Sequence, residues 1–211
     1  MQNKTYLFDF DGTLVDSMST FASVMLRILD EHSIAYGDDV IKTITPLGYH
    51  GTAKYFRGLG IDLSVEALVN MMNEYALPDY ADKIAAKEGV IDTLAALRSM
   101  GASLNVLTAS PHIMLDPCLE RLGIIGLFDN VWSCDDFGTT KSNPDIYKMA
   151  AERLGVSVGD VIFVDDNVNA VRTAKTAGTV AYGIFDESSA DSVGEMQTVA
   201  DRYLMRLADL L

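Results

Sequence analysis

Asp9 and Asp11 stand two residues apart, where the short apolar run Tyr6-Leu7-Phe8 gives way to Gly12 and Thr13. In an extended segment residues i and i+2 point the same way, so the two carboxylates face a common site. Carboxylates that close repel, and a shared proton, a cation or both must compensate. Thr108 ends a second apolar run, and the Asp165-Asp166 pair ends a third, the strongest in the chain. Lys141 lies in a loop just ahead of a helix start at Asn143-Pro144. Gathered in one place, these residues offer up to four carboxylates, a hydroxyl and one ammonium. Clustered carboxylate oxygens suit a hard cation such as Mg²⁺. Thr108, Lys141 and loop amides suit an anion the size of phosphate. A metal, an anion site and a spare carboxylate are the parts of a phosphoryl-transfer site.

The elements that would position these groups follow from the apolar pattern. A run such as Tyr6-Leu7-Phe8, bounded by turn chemistry, reads as a buried strand. After it, Asp16 or Ser17 is expected to cap a helix whose buried face is Phe21, Val24, Met25, Ile28 and Leu29. A short helix with glycines at its ends spans Gly48 to Gly58 and carries His50, Lys54 and Arg57; another follows Ser64, with Val65, Leu68, Val69 and Met72 on one face. From residue 88 onward strand and helix alternate. Ile91, Leu94, Ala95 and Leu97 mark a helix that stops at Gly101, and Ala102–Leu107 is a strand. Asp116 and Pro117 are read as N-cap and first position of a helix ending at Gly123. Short strands are expected at Asn130–Ser133, Asp160–Val164 and Thr179–Ile184, with a weaker one near Tyr203 and a last helix. Asn143-Pro144 opens a helix ending at Gly155, and Val171, Ala174 and Ala177 mark one closing at Gly178. Such alternation implies an α/β fold with a doubly wound parallel sheet. The all-helical stretch 17–85 is then an insertion after the first strand, dividing the chain into a core of 1–16 and 86–211 and a helical cap of 17–85. In sheets of this kind the ligand crevice lies outside the carboxyl ends of the strands, where Asp9, Thr108 and Asp165-Asp166 fall.

Composition narrows the class of function. The 211 residues are 49% hydrophobic, enough for a sizeable core, and carry a formal net charge of -14. That charge argues against nucleic acid and anionic membrane surfaces as partners. Cys118 and Cys134, without a C-x-x-C pair, make no zinc site and read as buried free thiols of a reduced, cytoplasmic protein. Met-Gln-Asn-Lys leads straight into the first strand, which leaves no room for a signal peptide, and no apolar run approaches the ~18 residues of a membrane span. No G-x-G-x-x-G follows the first strand, so a dinucleotide site is not expected. Leu14 stands where an EF-hand loop needs glycine. Asp135 and Asp136 read as loop structure, and His32 and His112 as bystanders.

Four motifs in order give the chain a family resemblance. They are Asp9-Phe10-Asp11-Gly12-Thr13, Thr108-Ala109-Ser110, Lys141-Ser142-Asn143-Pro144 and Asp165-Asp166. The chain resembles the haloacid dehalogenase superfamily, in the phosphoglycolate-phosphatase-like branch with a small helical cap on a Rossmann-like core. The resemblance implies a Mg²⁺-dependent phosphatase acting on a small phosphate ester, as a monomer or homodimer. It implies Asp9 as the nucleophile that becomes an aspartyl-phosphate and Asp11 as general acid and base. Thr108 and the Ala109 amide would bind phosphate, with Lys141 neutralising charge near Asp9. Asp9, the main-chain oxygen of Asp11 and Asp166 would hold Mg²⁺, with Asp165 a ligand directly or through water. His50, Lys54 and Arg57 lie in the insertion, where substrate contacts are expected. Two departures from the pattern concern loop stiffness (Ser142 in place of a proline) and the metal shell (Ala170 in place of a further aspartate). A phosphomutase is the alternative. Asp11 weighs against a dehalogenase, whose halide leaving group needs no acid, and the insertion weighs against a non-catalytic receiver domain.

Overall fold

The computed structural model describes residues 4–211, so Met1–Asn3, and with them the expectation of a direct start into the first strand, lie outside the described residues. Among the described residues there are six strands and nine α-helices. In chain order they are β1 (Thr5–Phe8), α1 (Met18–Glu31), α2 (Val40–Ile44), α3 (Gly48–Gly58), α4 (Val65–Asp82), α5 (Val90–Ser99), β2 (Ser103–Thr108), α6 (His112–Arg121) and β3 (Asn130–Ser133). Then follow α7 (Asp145–Leu154), β4 (Val161–Asp165), α8 (Val168–Ala177), β5 (Val180–Ile184), α9 (Val193–Val199) and β6 (Arg202–Leu204). The strands form a single sheet in the order β3-β2-β1-β4-β5-β6. Every pairing is parallel. The expected doubly wound α/β sheet is therefore present.

Alternating side chains feed two cores. Tyr6, Phe8, Leu104, Val106, Ile162 and Val164 join the core on one face, with buried residues of α1, α4, α5 and α6. Leu7, Leu107, Val161, Phe163 and Ala181 join the other, with residues of α7, α8 and α9. Burial on both faces is why these strands read as continuous apolar runs rather than as alternation. The order of the sheet reverses beside β1: β2 and β3 lie to one side, β4 to β6 to the other. Strand ends flanking such a reversal leave a crevice at their carboxyl edge. Asp9 follows β1, Thr108 ends β2 and Asp165 ends β4, so the three meet there.

Four helices, α1 to α4, separate β1 from α5. The chain leaves and returns side by side: Asp16 N–H donates to the Ala85 carbonyl and Lys87 N–H to the Leu14 carbonyl, both at 3.0 Å. On α1 the buried set includes Phe21, Val24, Met25, Ile28 and Leu29. On α4 it is Leu68, Met72, Ala76 and Tyr80, one residue per turn. Val65 and Val69 are only partly covered. Among the described residues no helix is long and apolar enough to cross a membrane.

Several local readings need correction. Helix α6 starts at His112, with Pro111 before it and Pro117 inside it, not at Asp116-Pro117. Pro117 has no N–H for the Ile113 carbonyl one turn back; burial of Met114, Leu115, Cys118 and Leu119 holds the helix together regardless. On α5 the inward residue is Val90, while Ile91 is exposed. The chain ends in a short 3₁₀ turn, Leu207–Leu210, and α9 has no counterpart among the expected elements. Ser17 occupies the N-cap of α1 without capping it, because its hydroxyl is used elsewhere.

Leu104, fully buried near the start of β2, is the cleanest probe of the first core. Leu104→Ala is expected to cost about 2–5 kcal/mol of unfolding free energy, read from the denaturant midpoint. A loss under about 1 kcal/mol would mean the site collapses around the missing methyls.

Candidate active site

Lys141 reaches in from the loop before α7 and places its ammonium between two carboxylates. Nζ donates to Asp9 Oδ1 at 2.6 Å and to Asp165 Oδ2 at 2.7 Å. Asp165 spends its other oxygen on the Asn167 amide at 2.7 Å. Asp166 turns toward the Gly12-Thr13 turn, where the Thr13 hydroxyl donates to Oδ1 at 3.3 Å. Gly12 has φ +75°, and a Cβ there would lie 2.7 Å from Asp166 Oδ2. Only glycine tolerates both the left-handed backbone and the approach of that carboxylate.

Asp9, Asp165 and Asp166 each bring a carboxylate oxygen to within 4.8 Å of the others, and all three residues are buried. Burial, reinforced by the charge of Asp165, lifts the Asp9 pKa to about 7 in spite of the Lys141 ammonium beside it. Asp166 is pushed well above the usual carboxylate range by burial, then by Asp165 and Asp9. Burial pulls the Lys141 pKa down, but Asp165 and Asp9 outweigh it and hold the ammonium well above its ordinary range. Three buried carboxylates around one ammonium leave negative charge uncompensated. Asp166, with a single long hydrogen bond, still has oxygen lone pairs to give. An all-oxygen, anionic donor set of this kind fits Mg²⁺.

Asp11 lives in different surroundings. Its Oδ1 accepts from Ser17 at 2.7 Å and from Tyr80 at 2.5 Å, and its Oδ2 accepts from Ser110 at 2.5 Å. Burial and the neighbouring Asp11 charge keep the Tyr80 phenol far above its ordinary pKa, hence neutral. Thr108 is buried, and its oxygen accepts the Ser110 amide at 3.1 Å, leaving the hydroxyl hydrogen to donate outward. Ala109 between them is exposed.

The expected residues of the four motifs thus come together at the edge of β1, β2 and β4. His50, Lys54 and Arg57 do not join them: all three are exposed on α3, and none makes a hydrogen bond or ion pair with the site. The α3 residue that the Asp11 charge reaches is Tyr49, which stacks on Phe21 at 5.9 Å. Sequence reasoning missed Ser17, Tyr80 and Ser110 as partners of Asp11. Ser17 and Ser110 could have been suspected from their adjacency to motifs, while Tyr80 carried no local signal. Asp136 accepts from the Ser133 amide and contacts His112, a loop-building role as expected.

Buried carboxylates at a sheet reversal, with a lysine between Asp9 and Asp165 and a buried threonine hydroxyl near them, accord with a phosphoric monoester hydrolase, the class to which the chain's relatives belong. The chain belongs to the haloacid dehalogenase-like hydrolase family, whose family model matches residues 3–178. It is 27% identical over 198 residues to validoxylamine A 7'-phosphate phosphatase of Streptomyces hygroscopicus subsp. limoneus, covering 91% of this chain and 90% of that one. It is 30% identical over 201 residues to phosphoglycolate phosphatase of Escherichia coli K12, covering 84% and 79%. A haloacid dehalogenase-like hydrolase from Bacteroides fragilis shares the fold with a TM-score of 0.87, at 22% identity over the full length of both chains.

The charge imbalance sets a pH dependence. Asp9 has a folded pKa near 7, raised from 3.8, so between those values the folded protein holds a proton that the unfolded chain has lost. Its stabilising contribution is complete below about pH 4 and is lost as the pH rises through about 7. A divalent cation held by these carboxylates would replace that proton, so the rise in melting temperature on adding Mg²⁺ to chelator-treated protein should be larger at about pH 8 than at about pH 5. Equal shifts at both pH values would contradict this accounting.

Proposed function

We propose that this hydrolase releases phosphate from a small phosphorylated metabolite, with Mg²⁺, through an aspartyl-phosphate on Asp9. The observation that carries the reading is the Asp9 carboxylate held by Lys141 at 2.6 Å beside two further buried aspartates, with Asp11 two residues on. An Asp9 oxygen attacks phosphorus, and the ester P–O bond breaks as Asp11 gives its proton to the departing alcohol oxygen. Asp11 then takes a proton from water, whose oxygen attacks the same phosphorus. The P–O bond to Asp9 breaks, phosphate leaves and the carboxylate is restored. Thr108 and the Ala109 amide hold the phosphate oxygens, and Lys141 offsets their charge.

Asp9, the main-chain oxygen of Asp11 and Asp166 would hold the cation, which supplies relief of the repulsion between carboxylate and phosphate dianion. Asp165, with one oxygen on Lys141 and the other on the Asn167 amide, would act by fixing Lys141 and by adding its charge to the metal site. In this reading residues 17–85 cap a core of 1–16 and 86–211. The names of the phosphatases it resembles support small phosphate esters as the substrate class.

Phosphate release from a panel of metabolite phosphates, with Mg²⁺ and with chelator, tests the proposal. Asp9→Asn should lower kcat more than about a thousandfold while the far-ultraviolet circular dichroism of the folded protein is retained, and Lys141→Ala about a hundredfold. Turnover by Asp9→Asn near the wild-type rate would remove Asp9 as nucleophile.

A further inference from the structure

Asp11 is held by hydroxyls alone, and those hydroxyls come from three separate elements. Ser17 opens α1, Ser110 follows β2 and Tyr80 lies in the last turn of α4; all three are buried. They divide the carboxylate unequally. Oδ1 takes two donors, Ser17 and Tyr80. Oδ2 takes one, Ser110, whose amide is bonded to the Thr108 hydroxyl oxygen. Oδ2 therefore lies on the side of the loop that would grip phosphate, and Oδ1 lies away from it.

Tyr80 is itself placed from the core. Arg121 of α6 donates to the Tyr80 carbonyl at 3.2 Å and to the Ile84 carbonyl, so the end of α4 is tied to the sheet side of the molecule. The Tyr80 ring lies 6.3 Å from that of Phe10, the residue between the two aspartates.

On the phosphatase reading, on which this rests, the geometry points to Tyr80 as a positioning residue for Asp11. Together with Ser17 it anchors Oδ1, so that Oδ2 delivers the proton to the leaving oxygen and takes one from water. A carboxyl group free to rotate would present the wrong oxygen for part of the time, and proton transfer demands hydrogen-bond reach.

The test separates proton transfer from general structural damage through the leaving group. p-Nitrophenolate departs without needing a proton, whereas the alkoxide of glycerol 2-phosphate needs one. In each case kcat/KM reports the steps up to departure. Tyr80→Phe keeps the ring and removes the hydroxyl, and should lower kcat/KM for glycerol 2-phosphate relative to p-nitrophenyl phosphate by about tenfold. Ser17→Ala, which reads the same anchor if Tyr80→Phe folds poorly, should shift the ratio the same way, and Ser17→Thr should restore it. A ratio unchanged within about twofold in both hydroxyl-deleting variants overturns the proposal. Wild-type protein that releases phosphate in an Asp9-dependent manner from neither ester nor any member of the metabolite panel overturns the phosphatase reading instead, and the positioning role falls with it.

Discussion

The ammonium of Lys141, buried between Asp9 and Asp165, is the interaction on which the rest of the site depends. Without it two carboxylates would face each other in a place that water hardly reaches. Removing one partner from a buried pair of this kind leaves an uncompensated charge, at a cost of about 3–5 kcal/mol. The lysine can span the two aspartates because they end neighbouring strands, β1 and β4, whose registers align Phe8 with Val164. A sheet that did not reverse its order beside β1 would not leave that edge open. The fold and the charge pattern thus specify each other.

One ammonium is not enough for three buried carboxylates, and that deficit makes the site chemically useful. The unbalanced charge of the buried cluster Asp9, Asp165 and Asp166 suits a divalent cation. Asp11, two residues away, meets hydroxyls instead of cations. Two aspartates of one turn therefore stand in two different surroundings, Asp9 beside an ammonium and buried carboxylates and Asp11 among hydroxyls. The Thr13 hydroxyl binds that turn to Asp166, and Gly12 leaves room for the carboxylate, so β1 and β4 are joined a second time at the same edge.

Much of this was legible in the sequence because its causes are local. Strands buried on both faces leave unbroken apolar runs, and each of the three that matter ended on the polar residue that the structure brings to the edge. The glycine-bounded α3 and the glycine after α7 likewise carried their own punctuation. What was not legible depends on tertiary partners. Pro117 read as a helix start because proline favours that position, yet the apolar face of α6 holds the helix through it. Ile91 read as core because its type is apolar, whereas the docking of α5 turned Val90 inward. Ser17 sits where a cap belongs, but Asp11 offers its hydroxyl a better acceptor. Tyr80 is sixty-nine residues from Asp11 along the chain, and no spacing rule links them. His50, Lys54 and Arg57 have the chemistry for contacting a phosphorylated substrate, but α3 turns them outward and Tyr49 inward.

The covalent intermediate on Asp9 is the claim that everything else serves. Protein mixed with a turned-over phosphate ester and Mg²⁺, quenched in acid during turnover and digested, should yield one phosphorylated peptide, containing Asp9, with the modification lost on mild alkaline treatment. A phosphoryl group on any other residue, or none on Asp9 in a reaction shown to be limited by its hydrolysis, would contradict it.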